Sequence, residues 1–318
     1  MSKPFKSIDN QIALIKSRGR VIENENYACS FLLKHNYYNV MNCYGKFLKL
    51  KGINKADEFI PGSNFSEVEA ILNFDRKLKS VIFRYVLIIE DYFRSILAYT
   101  ICEMTNDSQS YLKGEWYINS KGYLSLLKDL TKIIDENLKT KNNAIYHYKN
   151  QHNEIPLWVL IDFMTFGQSI RLFNYFDISI QREVSRRMND IINEKTEFND
   201  VKLYYQQLYV ILDNLKNLRN LVAHNNKIFN YKSRYEYPLI EELYCKDESD
   251  YKNRRSVFDS IVILRVFLTE SDSELMFKDI RNLIIELEDN LKTIKSSDVL
   301  NNLGFSIKLL NKLCTSKL

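Results

Sequence analysis

Glycine and proline are scarce in this chain, with 8 Gly and 4 Pro among 318 residues. Tight hairpins need such residues at their turns, whereas helix interiors do not. The shortage argues against a β-rich fold and for an all-α one. Cysteine is sparse as well. The five residues, Cys29, Cys43, Cys102, Cys245 and Cys314, are odd in number and contain no CxxC pair, which argues against a disulfide framework or a zinc site and fits the reducing cytoplasm. Long apolar runs are also missing. The longest, Tyr85 to Ile89 and Ile261 to Leu264, are too short to span a bilayer, and the start Met1-Ser-Lys-Pro-Phe-Lys lacks the apolar core of a leader. A soluble, cytoplasmic protein is expected. No GxSxG elbow, P-loop, HExxH or GxGxxG is present, so the chemistry those motifs carry has no support here.

What is present is modest in charge and rich in aromatics. Lys and Arg number 45 against 40 Asp and Glu, a net charge of +5. That bias permits a nucleic-acid partner without demanding one. The 21 Tyr and 18 Phe fit core packing between long helices, and any exposed Tyr could stack on unpaired bases.

The apolar spacing predicts helices over Ile8 to Arg18, stopped at Gly19, then about Asn24 to Lys34 and about Val40 to Lys49. Lys51 to Ser63 reads as a loop. Ser66-Glu-Val-Glu69 has capping-box spacing and opens a long helix to about Met104, apolar nearly all round near Glu90. Further helices fit Tyr123 to Leu138, Pro156 to about Phe176 with softening at Gly167, and Ile180 to Asn193. The cleanest pattern is Val201, Tyr204, Leu208, Ile211, Leu215, Leu218 and Val222, a seam of alternating threes and fours on one long helix. Lys232 to Arg255 reads as an irregular, charged connection. Helices over about Ser256–Thr269, Ser273–Lys295 and Val299–Leu313 follow.

Of four histidines, His35, His147, His152 and His224, the last lies in Leu218-Arg-Asn-Leu-Val-Ala-His-Asn-Asn226 at the end of the seam helix. At about 100° per residue, Asn220 and His224 share a face one turn apart, with Arg219 beside them and the apolar seam on the opposite side. His224 falls near the carboxyl end, where the macrodipole favours a cation. Such a set suits RNA cleavage by its own 2′-hydroxyl, which needs a group titrating near neutrality and a fixed cation for charge on the phosphorane. Asn220 could orient His224 or hold a phosphate oxygen. An isolated R-x4-H pattern is too short to tell such a site from a solvated helix end. Glu90 and Arg94 stand four apart in ion-pairing order, as a buried structural bridge would. Arg182, Arg186 and Arg187 could grip phosphates or form a solvated face. His147 and His152 lie in a polar, exposed stretch, and Trp158 reads as core.

Four ordered blocks resemble the abortive-infection proteins of the AbiD/AbiF type, all-helical phage-resistance factors within the HEPN superfamily of RNases. They are Arg219-Asn-Leu-Val-Ala-His224 with Asn225-Asn-Lys-Ile-Phe-Asn230; Leu33-Lys-His-Asn-Tyr-Tyr38 with Tyr44; Phe74-Asp-Arg-Lys-Leu78 through Ile89-Glu-Asp-Tyr-Phe-Arg-Ser95; and Pro156-Leu-Trp158 with Met164-Thr-Phe-Gly167. Asn42-Cys43 departs from the small residue expected before Tyr44. The resemblance spans roughly residues 10–232. It implies a HEPN-like helical bundle over 63–232, between an N-terminal helical region (1–62) and a C-terminal helical extension (233–318). It implies that Arg219 and His224 are the R-x4-6-H pair of a metal-independent endoribonuclease, with Asn220 as polar companion and Glu90 and Arg94 as a polar pair supporting the motif helix. HEPN sites are generally built from two facing motifs. This chain holds one, so the resemblance implies a homodimer through the motif face. It also implies RNA as partner, both as target and as a small non-coding RNA that holds or restrains the protein. The alternatives are a non-catalytic module that sequesters a structured RNA, needing the same cations, and a protein–protein adaptor.

Overall fold

The structure, a computed structural model, describes residues 5–50, 58–195, 201–240, 243 and 253–305. Among these the regular elements are helical, and β pairing is confined to three isolated bridges. The fold is all-α. Among the described residues no helix is long and apolar enough to cross a membrane.

The organising element is α4 (Phe65–Thr105), which at 1.5 Å per residue runs about 60 Å. It follows three shorter helices, α1 (Ile8–Ser17), α2 (Glu25–Lys34) and the single turn α3 (Tyr37–Asn39). Its apolar residues are buried on several sides, Ile71, Leu78, Ile82, Val86, Ile89, Phe93 and Leu97 among them, because different neighbours cover successive faces. The capping box that starts α4 is not Ser66 with Glu69. Asn64 is the N-cap and Glu67 the reciprocal partner, its Oε1 accepting from Asn64 N–H at 3.0 Å, because Phe65 already enters the core and draws Ser66 into the first turn.

Glu67 does more than cap. Its buried carboxylate also accepts from the backbone of Lys292 at 2.9 Å and of Thr293 at 2.8 Å, and from the Thr293 hydroxyl at 2.6 Å. Those groups lie just beyond α12 (Glu270–Asn290), which runs antiparallel to α4, with Lys77 paired to Glu286 one end further on. The segment after residue 232 therefore packs into the same core as α4. Burial pushes the Glu67 carboxyl up, but the hydrogen bonds from Asn64, Thr293 and Lys292 outweigh it and leave the pKa below the ordinary glutamate value. A carboxyl depressed in the folded state contributes stability above its unfolded pKa, near ~4.3, and loses it as pH falls through the folded value. Glu67→Gln is accordingly expected to melt below the wild type at neutral pH, with the gap closing as pH drops beneath that range. A gap that stays constant with pH in thermal melts would contradict the assignment.

Two stretches expected as continuous helices are broken. After α3, Val40–Tyr44 is a π turn and Gly45–Leu48 a 3-10 turn, which brings Tyr44 against α4. The stretch from Pro156 divides into α7 (Leu157–Leu160), a 3-10 turn Ile161–Phe163, and α8 (Phe166–Tyr175). The break falls at Met164, not Gly167. Met164 is extended (ψ 146°) and Thr165 restarts the helix with a capping box to Gln168. The Met164 carbonyl freed by the break accepts from Arg94 Nη2 at 2.7 Å. Trp158 is 49% exposed rather than core.

Between these lie α5 (Ser120–Leu138) and α6 (Ala144–His152). The stretch with His147 and His152 is thus helical, though both side chains are exposed. α9 (Ile178–Lys195) follows, then α10 (Tyr205–Ala223). The seam holds over Leu208, Ile211, Leu215, Leu218 and Val222, all buried, but α10 starts after Tyr204, whose ring is exposed. The described part of 232–255 is irregular, as expected, and is anchored by the buried Asn214 amide. Its Nδ2 donates to Tyr235 O at 2.9 Å and its Oδ1 accepts from Tyr235 N–H at 3.1 Å. The Lys246 to Asp250 cluster and Cys245 lie outside the described residues. At the carboxyl end, α11 (Val257–Leu264) precedes α12, and α13 (Ser296–Leu300) follows it; the remainder of the last expected helix, from residue 306, lies outside the described residues.

Candidate functional site

The exposed end of α10 carries the motif. Leu218 and Val222 bury its seam while Asn220 and His224 are exposed. This is what a helix does when its apolar stripe is satisfied and the far face is polar. Arg219 sits between the two faces, its side chain 30% exposed. α4 lies antiparallel beneath, and Glu90, only 4% exposed, places Oε2 3.4 Å from Arg219 Nε. Neither atom has a hydrogen-bond partner, so the attraction restrains the guanidinium without occupying its donors. The Phe83 ring lies 5.7 Å from the guanidinium carbon, and Arg219 Nη1 reaches Asn220 Oδ1 at 3.5 Å.

Glu90 also pairs with Arg94 at 2.5 Å, and Arg94 is fixed in turn on Met164 O. The structure therefore brings Glu90, Arg94 and Arg219 into one cluster. Glu90 is at once a buried ion-pair partner and the group nearest the motif arginine. A buried carboxylate between two guanidiniums is compensated, which an isolated one would not be.

His224 is the C-cap of α10, its backbone N–H donating to Asn220 O at 3.1 Å. Its imidazole is exposed and makes no side-chain hydrogen bond among the described residues. The next residue, Asn225, takes the left-handed conformation (φ 54°) that Asn tolerates well. The loop is then locked from below by a buried pair that sequence reasoning passed over. Asp75 and Lys79 of α4, with side chains 0% and 5% exposed, pair at 2.7 Å. Lys79 Nζ donates to Asn225 Oδ1 at 2.8 Å. Asp75 accepts from Ile228 N–H at 3.2 Å and from the Tyr44 hydroxyl at 2.9 Å. Burial and the Asp75 carboxylate raise the Tyr44 pKa far above the usual phenol value, so this hydroxyl is a dependable donor. The signal existed in the sequence: opposite charges four apart within an apolar stripe, the same spacing as Glu90 and Arg94.

The three arginines of α9 belong elsewhere. Arg186 is held by Glu183 and Asp190, each at 2.7 Å, and Arg187 by Glu183 at 2.7 Å and by Glu103. Glu103 lies thirteen residues beyond Glu90 on α4, about 20 Å along the axis. Arg182 is exposed and makes no ion pair among the described residues. The structure thus separates this set from Arg219 and His224, and neutralises two of its members.

Two open clefts meet at the loop after His224, and Asn225 and Arg76 line both. One, about 640 Å³, runs between α4 and the end of α10 past Lys77, Lys79 and Phe83. The other, about 810 Å³, lies against the end of α2 and includes Lys34, His35, Tyr38 and Lys227. Neither lining contains a carboxylate. Among the described residues no three His, Cys, Asp or Glu side chains group as metal ligands.

No curated relative and no solved structure matches the chain. A family profile described as Abi-like protein matches residues 30–230, a span that runs from the end of α2 through the motif to Asn230 and so takes in the Tyr44–Asp75–Lys79 lock and the Glu90 cluster. That family supports a role in abortive infection. With nearly two thirds of its length matched, including every residue that positions the motif, this chain belongs to the family of Abi-like proteins.

Proposed function

We propose that the chain is a metal-independent endoribonuclease of HEPN type that acts in abortive infection. The reading rests on one observation above the others. A half-exposed Arg219, restrained by Glu90 at 3.4 Å without a hydrogen bond between them, stands beside the exposed Asn220 and His224.

The chemistry follows from those groups. The 2′-oxygen of RNA attacks the adjacent phosphorus while an imidazole accepts its proton, and the bond from phosphorus to the 5′-oxygen breaks as a proton is supplied to that leaving oxygen. Arg219 faces the charge that builds on the non-bridging oxygens, where a planar cationic fork is most useful. One histidine can serve one of the two proton transfers, so two copies of the chain joined through their motif faces would furnish both. A small structured RNA bound to the protein would control access to that surface.

RNA incubated with the protein in excess chelator is expected to yield fragments with 2′,3′-cyclic phosphate and 5′-hydroxyl ends, resolved by end-specific labelling. Cleavage that depends on an added divalent ion, or that leaves 5′-phosphate ends, would refute the mechanism. A protein that shifts RNA in a gel and never cuts it would instead be a sequestering module.

A further inference from the structure

On α9 two of the three arginines, Arg186 and Arg187, are ion-paired and only Arg182 is not, whereas three unpaired cations lie together on the rim of the cleft beside the motif. Lys34 at the end of α2, Arg76 of α4 and Lys227 of the loop after α10 converge on one opening of about 810 Å³. None of the three makes an ion pair among the described residues, whereas Arg186, Arg187 and Lys77 are all held by carboxylates. Unpaired cations around a carboxylate-free cleft sum to a field that like charges alone would oppose. The same charges act on neighbouring groups, second to burial. Burial first, then Arg76 and Lys34, lower the His35 pKa, with Glu69 opposing. Burial and then Lys227 lower that of Lys46.

The cleft also offers what a base needs. The Tyr38 ring is 69% exposed at its edge, on a turn fixed by Asn36 Oδ1 accepting from Tyr38 N–H at 2.9 Å. An exposed aromatic held on a rigid turn loses little freedom when a base stacks on it. Asn226 also lines the opening, and a side-chain amide has both a donor and an acceptor to offer base edges. A duplex would meet the rim only with its backbone; an unpaired strand can reach both the cations and the ring.

We propose that this cleft, formed by Lys34, His35, Tyr38, Arg76, Asn226 and Lys227, binds an unpaired segment of the RNA substrate next to the bond to be cut. The occupant is single-stranded RNA, its phosphates on Lys34, Arg76 and Lys227 and one base on Tyr38. Because His224 directly precedes Asn225, which lines this cleft, the bound strand continues towards the motif. The inference rests on the RNA-cleaving reading for its direction, but binding can be tested apart from cleavage.

The probe is a fluorescent 2′-O-methyl oligoribonucleotide, which has no free 2′-hydroxyl and so cannot react. Its affinity for the full chain is measured by anisotropy across a range of salt. The variant with Lys34→Gln, Arg76→Gln and Lys227→Gln is expected to flatten the plot of log affinity against log salt by roughly 2, three phosphate contacts at about 0.7 each. Tyr38→Ala should weaken binding roughly five- to a hundredfold without changing that slope. In the wild type, bound probe should shield Lys34 and Lys227 from acetylation while leaving exposed Lys132 reactive, a readout independent of whether any variant folds. Unchanged slope and affinity in a folded triple variant, or no protection of Lys34 and Lys227, overturns the proposal. So does a cleft that takes an acidic peptide in preference to RNA. Binding that depends on the cleft in a protein that never cuts RNA supports this site and defeats the nuclease reading instead.

Discussion

His224→Ala is expected to abolish RNA cleavage while leaving the melting temperature unchanged. The imidazole is exposed and unbonded, so removing it opens no cavity and strands no buried partner. The cap of α10 is a backbone hydrogen bond to Asn220 O that alanine keeps. Loss of a positioned acid or base removes about 10²–10⁴ of rate, and more if the two copies of a dimer each lose theirs. Arg219→Ala should lose comparable activity with a small, measurable loss of stability, because Glu90 then keeps only Arg94 as its partner. That difference between the two variants would separate the roles proposed for them, His224 acting on the substrate alone and Arg219 also compensating a buried carboxylate. Initial rates on a labelled RNA, paired with thermal melts, make the comparison. Full activity in either alanine variant would remove the motif from the chemistry.

Asp75→Ala is expected to be the most damaging single change in the fold near the site. It leaves Lys79 buried and uncompensated, and strips the acceptor from the Tyr44 hydroxyl and from Ile228 N–H. Breaking a buried pair on one side costs about 3–5 kcal/mol, which in a chain of this size lowers the melting temperature on the order of 10 °C. Replacing both partners, Asp75→Leu with Lys79→Met, should recover much of that stability, since no charge is left stranded. It should not recover cleavage, because Lys79 no longer holds Asn225 and the loop that carries His224 loses its anchor. A double variant that is both stable and fully active would show that the lock has no part in positioning the motif.

Much of this was legible in the chain itself. Scarce glycine and proline implied helices, and the threes and fours of Leu208 to Val222 placed α10 with its polar face outward. Glu90 and Arg94 were legible as a pair. What the pair touches was not: that Glu90 also faces Arg219 depends on the antiparallel crossing of α4 and α10, which brings together residues 129 positions apart. The errors have local causes. Asn64 rather than Ser66 caps α4 because Phe65 is drawn into the core. The break at Met164 is favoured by an Arg94 donor seventy residues earlier. The pairing of Arg186 with Glu183 and Asp190 lies within α9, whereas that of Arg187 with Glu103 joins two helices and has no local signal.

The sequence by itself determined the helical class, the exposed His224 and the family resemblance, since each follows from residues near one another in the chain, whose spacing fixes which face they share. Only the tertiary structure decided which cations remain free and which buried charges hold the motif. Those properties depend on long-range pairing, Asp75 with Tyr44 and Ile228, Glu90 with Arg219, and on the carboxylate-free cleft where α2, α4 and the loop after α10 meet. Charge in a protein is read from its neighbours in space, and no local pattern supplies those.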